Sequence, residues 1–148
     1  MIEKNLNIAL VDDDNDDRTL FELAISRIGI PSQLKMFKSG IELITYIRDP
    51  AIRRPDLLFL DLNMPNMDGL ECLKEIKQDP GLRDITVIIY STSCSEKDIE
   101  ATFLEGANIY LNKPSDFNDL KKALKRILAL DWQYQNSTLN RDNFLFRL

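Results

Sequence analysis

The chain has 148 residues, 24 acidic against 19 basic side chains, a net charge of −5 and no histidine. Without histidine there is no Ser-His-Asp or Cys-His triad, no histidine zinc ligand and no histidine phosphoryl carrier. The acidic balance argues against nucleic-acid binding, which needs a basic face, and the length suits one domain with a single core.

Short apolar runs alternate with helical patterns. Leu6 to Val11 reads as a first strand. Apolar residues at Leu20, Leu23, Ala24 and Ile28 form a helical stripe over Asp17 to Ile28, stopped by Gly29 and Pro31. Gln33 to Phe37 is a second, weaker strand. Ser39-x-x-Glu42 is a capping box opening a helix to about Arg48. Leu57 to Leu60 is a third strand, directly before Asp61, and a helix follows from about Gly69 to Gln78.

Ile85 to Tyr90 is a fourth strand and the most apolar run of the chain. Ser95 with Asp98 caps the next helix, which ends at Gly106. Ile109 to Asn112 is a short fifth strand, and Ser115 is expected to cap a last helix carrying Phe117, Leu120, Leu124, Ile127 and Leu128 inward. From about Gln133 the chain turns polar before closing on Phe144-Leu145-Phe146-Arg147-Leu148. No repeat or long linker marks a second domain.

Five βα units imply an α/β fold: a flavodoxin-like (βα)5, doubly wound parallel sheet in the order 2-1-3-4-5. Ligands of such sheets bind beyond the carboxyl ends of the strands, at the switch point between strands 1 and 3. Strand 1 ends in Asp12-Asp13-Asp14, followed by Asn15-Asp16-Asp17; strand 3 ends in Asp61; strand 4 ends in Ser91-Thr92-Ser93; strand 5 ends in Lys113-Pro114. Crowded carboxylates repel unless a cation neutralises them, and hard oxygen donors suit Mg²⁺ or Mn²⁺. Taken singly, the acids could cap a helix, the hydroxyls are ordinary strand-end residues and Lys113 is an ordinary surface charge. Together they describe a phosphate site with a divalent cation and a carboxylate nucleophile. Asp14, Asp16 and Asp17 are read mostly as helix-end acids.

The residues Val11-Asp12-Asp13-Asp14, Leu60-Asp61-Leu62-Asn63-Met64-Pro65-Asn66-Met67-Asp68-Gly69, Tyr90-Ser91-Thr92-Ser93 and Tyr110-Leu111-Asn112-Lys113-Pro114 resemble those of the response-regulator receiver domain, the CheY-like family, over about residues 6 to 130. That resemblance implies phosphorylation on Asp61. Asp13 would bind the metal directly and Asp12 mainly through metal-bound water, with Asp61 and the Asn63 carbonyl completing the site. Ser91 would hydrogen-bond a phosphoryl oxygen, Lys113 would pair with it, and the Lys113-Pro114 bond is a candidate cis peptide. Ser91 and Tyr110 would form the switch, read out on a face of helix 4, strand 5 and helix 5 with Ile99, Phe103, Tyr110, Leu111 and Lys121 as candidate contacts. Two departures stand out: Ser91 takes the place of the commoner threonine, and Thr92 that of a frequent alanine.

The phosphoryl donor would be a sensor histidine kinase, a phosphotransfer protein or a small acyl phosphate. The domain is expected to span residues 1–132, with 133–148 an extension and no separate output domain. Trp132, Tyr134 and Phe144-Leu145-Phe146 either pack back on the domain or serve as a homodimer or kinase-docking element. A long loop after helix 2 (Pro50 to Pro55) and an aromatic extension resemble stand-alone receivers paired with phytochrome-type kinases. No run reaches the ~18 apolar residues of a membrane span, no signal peptide is expected from residues Met1 to Asn5, which lack a basic region followed by an apolar run, and Cys72 and Cys94 are too far apart for a CxxC pair, so the expected setting is cytoplasmic, with no membrane and no nucleic acid. The rival readings are an aspartate-nucleophile phosphatase of the haloacid-dehalogenase type, whose second motif aspartate is Asn63 here, and a phosphate-independent interaction module.

Overall fold

The computed structural model describes residues 5–130 and 141–147. Five parallel strands, β1 (Leu6–Val11), β2 (Ser32–Phe37), β3 (Leu57–Leu60), β4 (Thr86–Ser91) and β5 (Ile109–Asn112), form one sheet in the order β2-β1-β3-β4-β5. The connecting helices are α1 (Asn15–Arg27), α2 (Gly40–Ile47), α3 (Gly69–Gln78), α4 (Glu96–Leu104) and α5 (Phe117–Leu128). A short turn of helix, α6 (Arg141–Phe144), follows near the C-terminus. None of the described helices is long and apolar enough to cross a membrane.

The central strands are buried on both faces, which is why they read as continuous apolar runs. Ile8, Leu10, Leu57, Phe59, Ile88 and Tyr90 face one way, into a core shared with Phe21, Ala24 and Ile25 of α1 and Leu120, Ala123, Leu124 and Ile127 of α5. Ala9, Val11, Leu58, Leu60, Val87 and Ile89 face the other way, toward Leu43 and Ile47 of α2, Cys72, Leu73 and Ile76 of α3, and Ile99 of α4. Successive strand residues point to opposite sides, so one strand feeds both layers.

Register places the site. Val11 pairs with Leu60, Leu60 with Ile89 and Ser91 with Asn112. Asp12, Asp61, Ser91 and Lys113 therefore emerge together at the carboxyl edge. The helix ends agree with their sequence signals in most cases: Asp14 caps α1, accepting from the backbone N–H of Asp16 and Asp17, Ser39 caps α2 and Ser95 caps α4. At α5 the cap is Asp116 and not Ser115; the extended backbone of Asp116 aims its carboxylate at the N–H of Asn118 and Asp119. A capping box between Asp68 and Glu71 opens α3.

Candidate functional site

Each side chain of the site is held by a strand end. The Asp12 backbone N–H donates to Phe37 O at 3.1 Å and that of Asp61 to Val11 O at 3.1 Å, so the ladder fixes both backbones one residue beyond the strands. Asp12 is fully buried and Asp61 is 5% exposed, while Asp13 is exposed. One oxygen of Asp12 accepts from the Asp14 N–H at 2.9 Å and the other from Lys113 Nζ at 2.8 Å. Lys113 also donates to Asp17 at 2.8 Å and lies 3.8 Å from Asp61 Oδ2. Arg18 holds the same corner from behind, donating to the Asp12 carbonyl at 2.7 Å.

Close packing of α3 brings the Asp61 loop to its position. A Cβ on Gly69 would lie 2.2 Å from the Asp61 carbonyl oxygen and 2.7 Å from Leu62 Cα. Only glycine lets the helix start this near the site. In the same loop Asn66 takes a left-handed backbone, φ 68°, a conformation asparagine tolerates better than most residues.

Charge at the site is unevenly balanced. Burial pushes the Asp61 carboxyl up to about 7; Lys113 opposes this shift and Asp12 adds to it. Burial also works against the charge on Lys113, but its bonds to Asp12 and Asp17 outweigh that and hold the ammonium above the ordinary lysine value. Carboxylate oxygens of Asp12, Asp13 and Asp61 all lie within 4.8 Å of one another. Three hard oxygen donors this close, with a single lysine among them, fit a small divalent cation. Asn63 lies at the rim with its backbone N–H 3.4 Å from Asp61 Oδ1, leaving its carbonyl as a further candidate donor.

Ser91 and Tyr110 occupy the opposite side. Ser91 is fully buried and its Oγ accepts from the Ser93 N–H at 3.1 Å. Tyr110 is fully buried as well, and its hydroxyl donates to the Ser93 carbonyl at 2.9 Å. It packs in the core with Ile89 and Ile99, and the ring of Phe144 meets it edge-on at 6.2 Å. Ser93 Oγ donates to Asp98 at 2.6 Å, tying the β4–α4 loop to α4.

Several expectations need correction. The Lys113-Pro114 bond is trans, since no described peptide bond is cis; Lys113 reaches the acids from a trans bond because its own N–H is anchored on Ser91 O at 2.8 Å. Asp17 is not merely a helix-end acid but a partner of Lys113. Ile99, Tyr110 and Leu111 are at most 3% exposed, so three of the five candidate readout contacts are core; Phe103 and Lys121 remain partly exposed. Phe144 packs back on the domain, whereas Trp132 and Tyr134 lie outside the described residues. Asn112 was not anticipated: its amide lies 3.1 to 3.2 Å from the carbonyls of Ser91, Thr92 and Ser93 and braces that loop. Its place beside Lys113 is the one signal that could have found it.

Against this geometry, a family profile described as "Response regulator receiver domain" matches residues 8–125. The response regulator Rcp1 of the cyanobacterium Synechocystis sp. is 34% identical over 124 residues, covering 81% of this chain and 84% of Rcp1. The crystal structure of the Mn²⁺-bound form of Rcp1 superposes with a TM-score of 0.76 at 33% identity, over 86% of this chain and 94% of that one. The phosphorylated cyanobacterial phytochrome response regulator RcpA superposes with a TM-score of 0.78 at 33% identity, over 93% of this chain and 98% of that one.

Proposed function

The chain belongs to the response-regulator receiver family, and from that premise we propose that it accepts a phosphoryl group on Asp61 from a phosphohistidine of a sensor kinase or phosphotransfer protein. The observation that carries this reading is the setting of Asp61: a nearly buried carboxylate with two further acids beside it and the Lys113 ammonium 3.8 Å away. An Asp61 oxygen attacks the phosphorus, an O–P bond forms, the P–N bond to the donor imidazole breaks, and the imidazole leaves with the electron pair. Lys113 gives up its bond to Asp17 and pairs with the phosphoryl oxygens, and the Ser91 hydroxyl donates to one of them. A divalent cation, Mg²⁺ or Mn²⁺, held by Asp12, Asp13, Asp61 and the Asn63 carbonyl, supplies charge neutralisation when bound.

The chain is in this reading a phospho-acceptor, acting on itself alone, with residues 1–132 as the receiver and 133–148 as its extension. Switching passes from Ser91 to Tyr110 by way of Ser93, whose N–H donates to Ser91 Oγ and whose carbonyl accepts from the Tyr110 hydroxyl, and is read on the α4-β5-α5 face. Similarity to RcpA, a cyanobacterial phytochrome response regulator, supports a kinase of the phytochrome type as the upstream partner, with this chain in the cytoplasm. The phosphatase reading is disfavoured by the exposed Asn63 in place of a second acid, and the phosphate-independent module by the complete set of acids, hydroxyl and lysine.

Acetyl phosphate with Mg²⁺ tests the central claim. Intact-mass spectra are expected to show one phosphoryl group added to the protein and none on Asp61→Asn; equal labelling of the two overturns the assignment.

A further inference from the structure

Outside the phosphoryl site, the most heavily built feature is the seat of the C-terminal segment. Three kinds of contact hold it. Arg141 pairs with Glu96 and, at 3.0 Å, with Glu100, both on the exposed side of α4. Phe144 is fully buried, with its ring 5.3 Å from Phe103 of α4 and 6.2 Å from Tyr110 of β5. Leu145 then bridges Tyr110 in parallel and the Phe146 N–H donates to Tyr110 O at 2.9 Å, so the segment continues the sheet beyond β5. These are the elements of a peptide-recognition groove: a paired acid for a cation, an aromatic pocket and an unpaired strand edge. All the receptor groups belong to α4 and β5, and all the ligand groups to residues 141–146, beyond the region matched by the family profile.

We propose that the α4–β5 groove is a docking site for a short basic-aromatic segment, an arginine or lysine three residues ahead of a phenylalanine followed by an extended stretch, and that residues 141–146 hold it as a tethered internal competitor. A partner carrying that pattern displaces the segment and takes over its contacts. The inference rests on these ion pairs, ring contacts and backbone bonds and is independent of the reading of Asp61. A tether whose effective concentration is about ten times the intrinsic Kd of the segment weakens an outside segment roughly tenfold. Partner access is therefore graded by how well the chain's own segment sits, and Phe144 is the side chain that fills the pocket between Phe103 and Tyr110.

The test uses the full chain and a fluorescein-labelled peptide of residues 141–148. Fluorescence anisotropy is expected to show saturable binding to the Phe144→Ala and Arg141→Glu chains, at least tenfold tighter than to the unaltered chain. A peptide carrying Phe144→Ala should lose that binding. The Glu96→Arg/Glu100→Arg chain should refuse the natural peptide and accept one carrying Arg141→Glu. Arg141 lies on the surface, so that variant keeps the test valid if Phe144→Ala perturbs folding. Absence of binding to both vacated chains overturns the proposal, as does equal binding to vacated and unaltered chains. Light scattering that shows an unaltered dimer and monomeric variants also overturns it, because a second copy's segment would then be the occupant.

Discussion

Asp17 and Lys113, 96 positions apart in the sequence, are joined by a 2.8 Å ion pair that closes the site over Asp12. Lys113 is thereby shared between Asp12, Asp17 and Asp61, and only one of the three is fully buried. Asp17 is the most exposed of them, so it is the partner most readily surrendered to an incoming phosphoryl group. Asp17→Asn removes this competitor for the ammonium. A partly exposed pair contributes up to about 1 kcal/mol, which corresponds to roughly fivefold faster labelling by acetyl phosphate. Initial rates followed by intact mass check this; a slower variant would show that Asp17 positions the lysine instead of detaining it.

Cation binding should be visible in stability as well as in chemistry. Asp12, Asp13 and Asp61 come from two strand ends and approach one another only in the folded chain, so a bound ion stabilises the native state. At a hundred times its Kd the gain is about 2.7 kcal/mol. Mg²⁺ is expected to raise the melting temperature of the protein and to do so far less in Asp13→Asn, measured by calorimetry at fixed ionic strength. EDTA should abolish acetyl phosphate labelling; undiminished uptake in EDTA would remove the ion from the mechanism.

Gly69→Ala tests how tightly α3 is fitted to the site. The added carbon meets backbone, not a flexible side chain: the Asp61 carbonyl at 2.2 Å and Leu62 Cα at 2.7 Å. Overpacking of this kind costs about 1–3 kcal/mol. The urea midpoint should fall accordingly, and the labelling rate of Asp61 should fall with it because the displaced backbone carries the acceptor.

The two cysteines should differ in reactivity. Cys72 is buried under α2 and Cys94 is exposed. Burial, helped by Asp68, Glu71 and Glu75, pushes the Cys72 thiol up to about 12 from an ordinary 9.0. A maleimide at pH 8 is expected to modify Cys94 at once and Cys72 only on unfolding. Since the folded value lies above the unfolded one, the stability gained by keeping Cys72 neutral is complete below pH 9 and drains away as pH rises toward 12. The urea midpoint of the protein should therefore fall faster than that of Cys72→Ala between those two limits.

The strands were legible because burial on both faces leaves runs such as Leu57 to Leu60 and Ile85 to Tyr90 predominantly apolar. Asp12, Asp61, Ser91 and Lys113 were legible because each directly ends or follows such a run, and the strand order brings those ends together. What escaped depends on local backbone angles or on partners distant in sequence. Ser115 and Asp116 are both good caps, and the backbone at Asp116 decides between them. Asp17 sits among five other acidic or amide residues, and nothing in that run shows which one meets a lysine on another strand. Tyr110 looks like a surface contact when β5 is considered without residues 141–146, which lay Phe144 and Leu145 against it as a cover, while Ile99 and Leu111 belong to the two cores on either side of the sheet.

That cover has a colloidal consequence. A terminal strand presents a row of unpaired backbone groups on which another chain can nucleate. At β2 the outward side chains Gln33 and Lys35 are exposed and place charge along the margin, whereas β5 relies on the bridge from Leu145 and the bond from Phe146. The two margins of the sheet are thus guarded by unlike means, one by a side-chain ammonium and the other by borrowed main chain. Resistance to self-aggregation on the β5 side is consequently vested in a stretch that is no part of the five βα units.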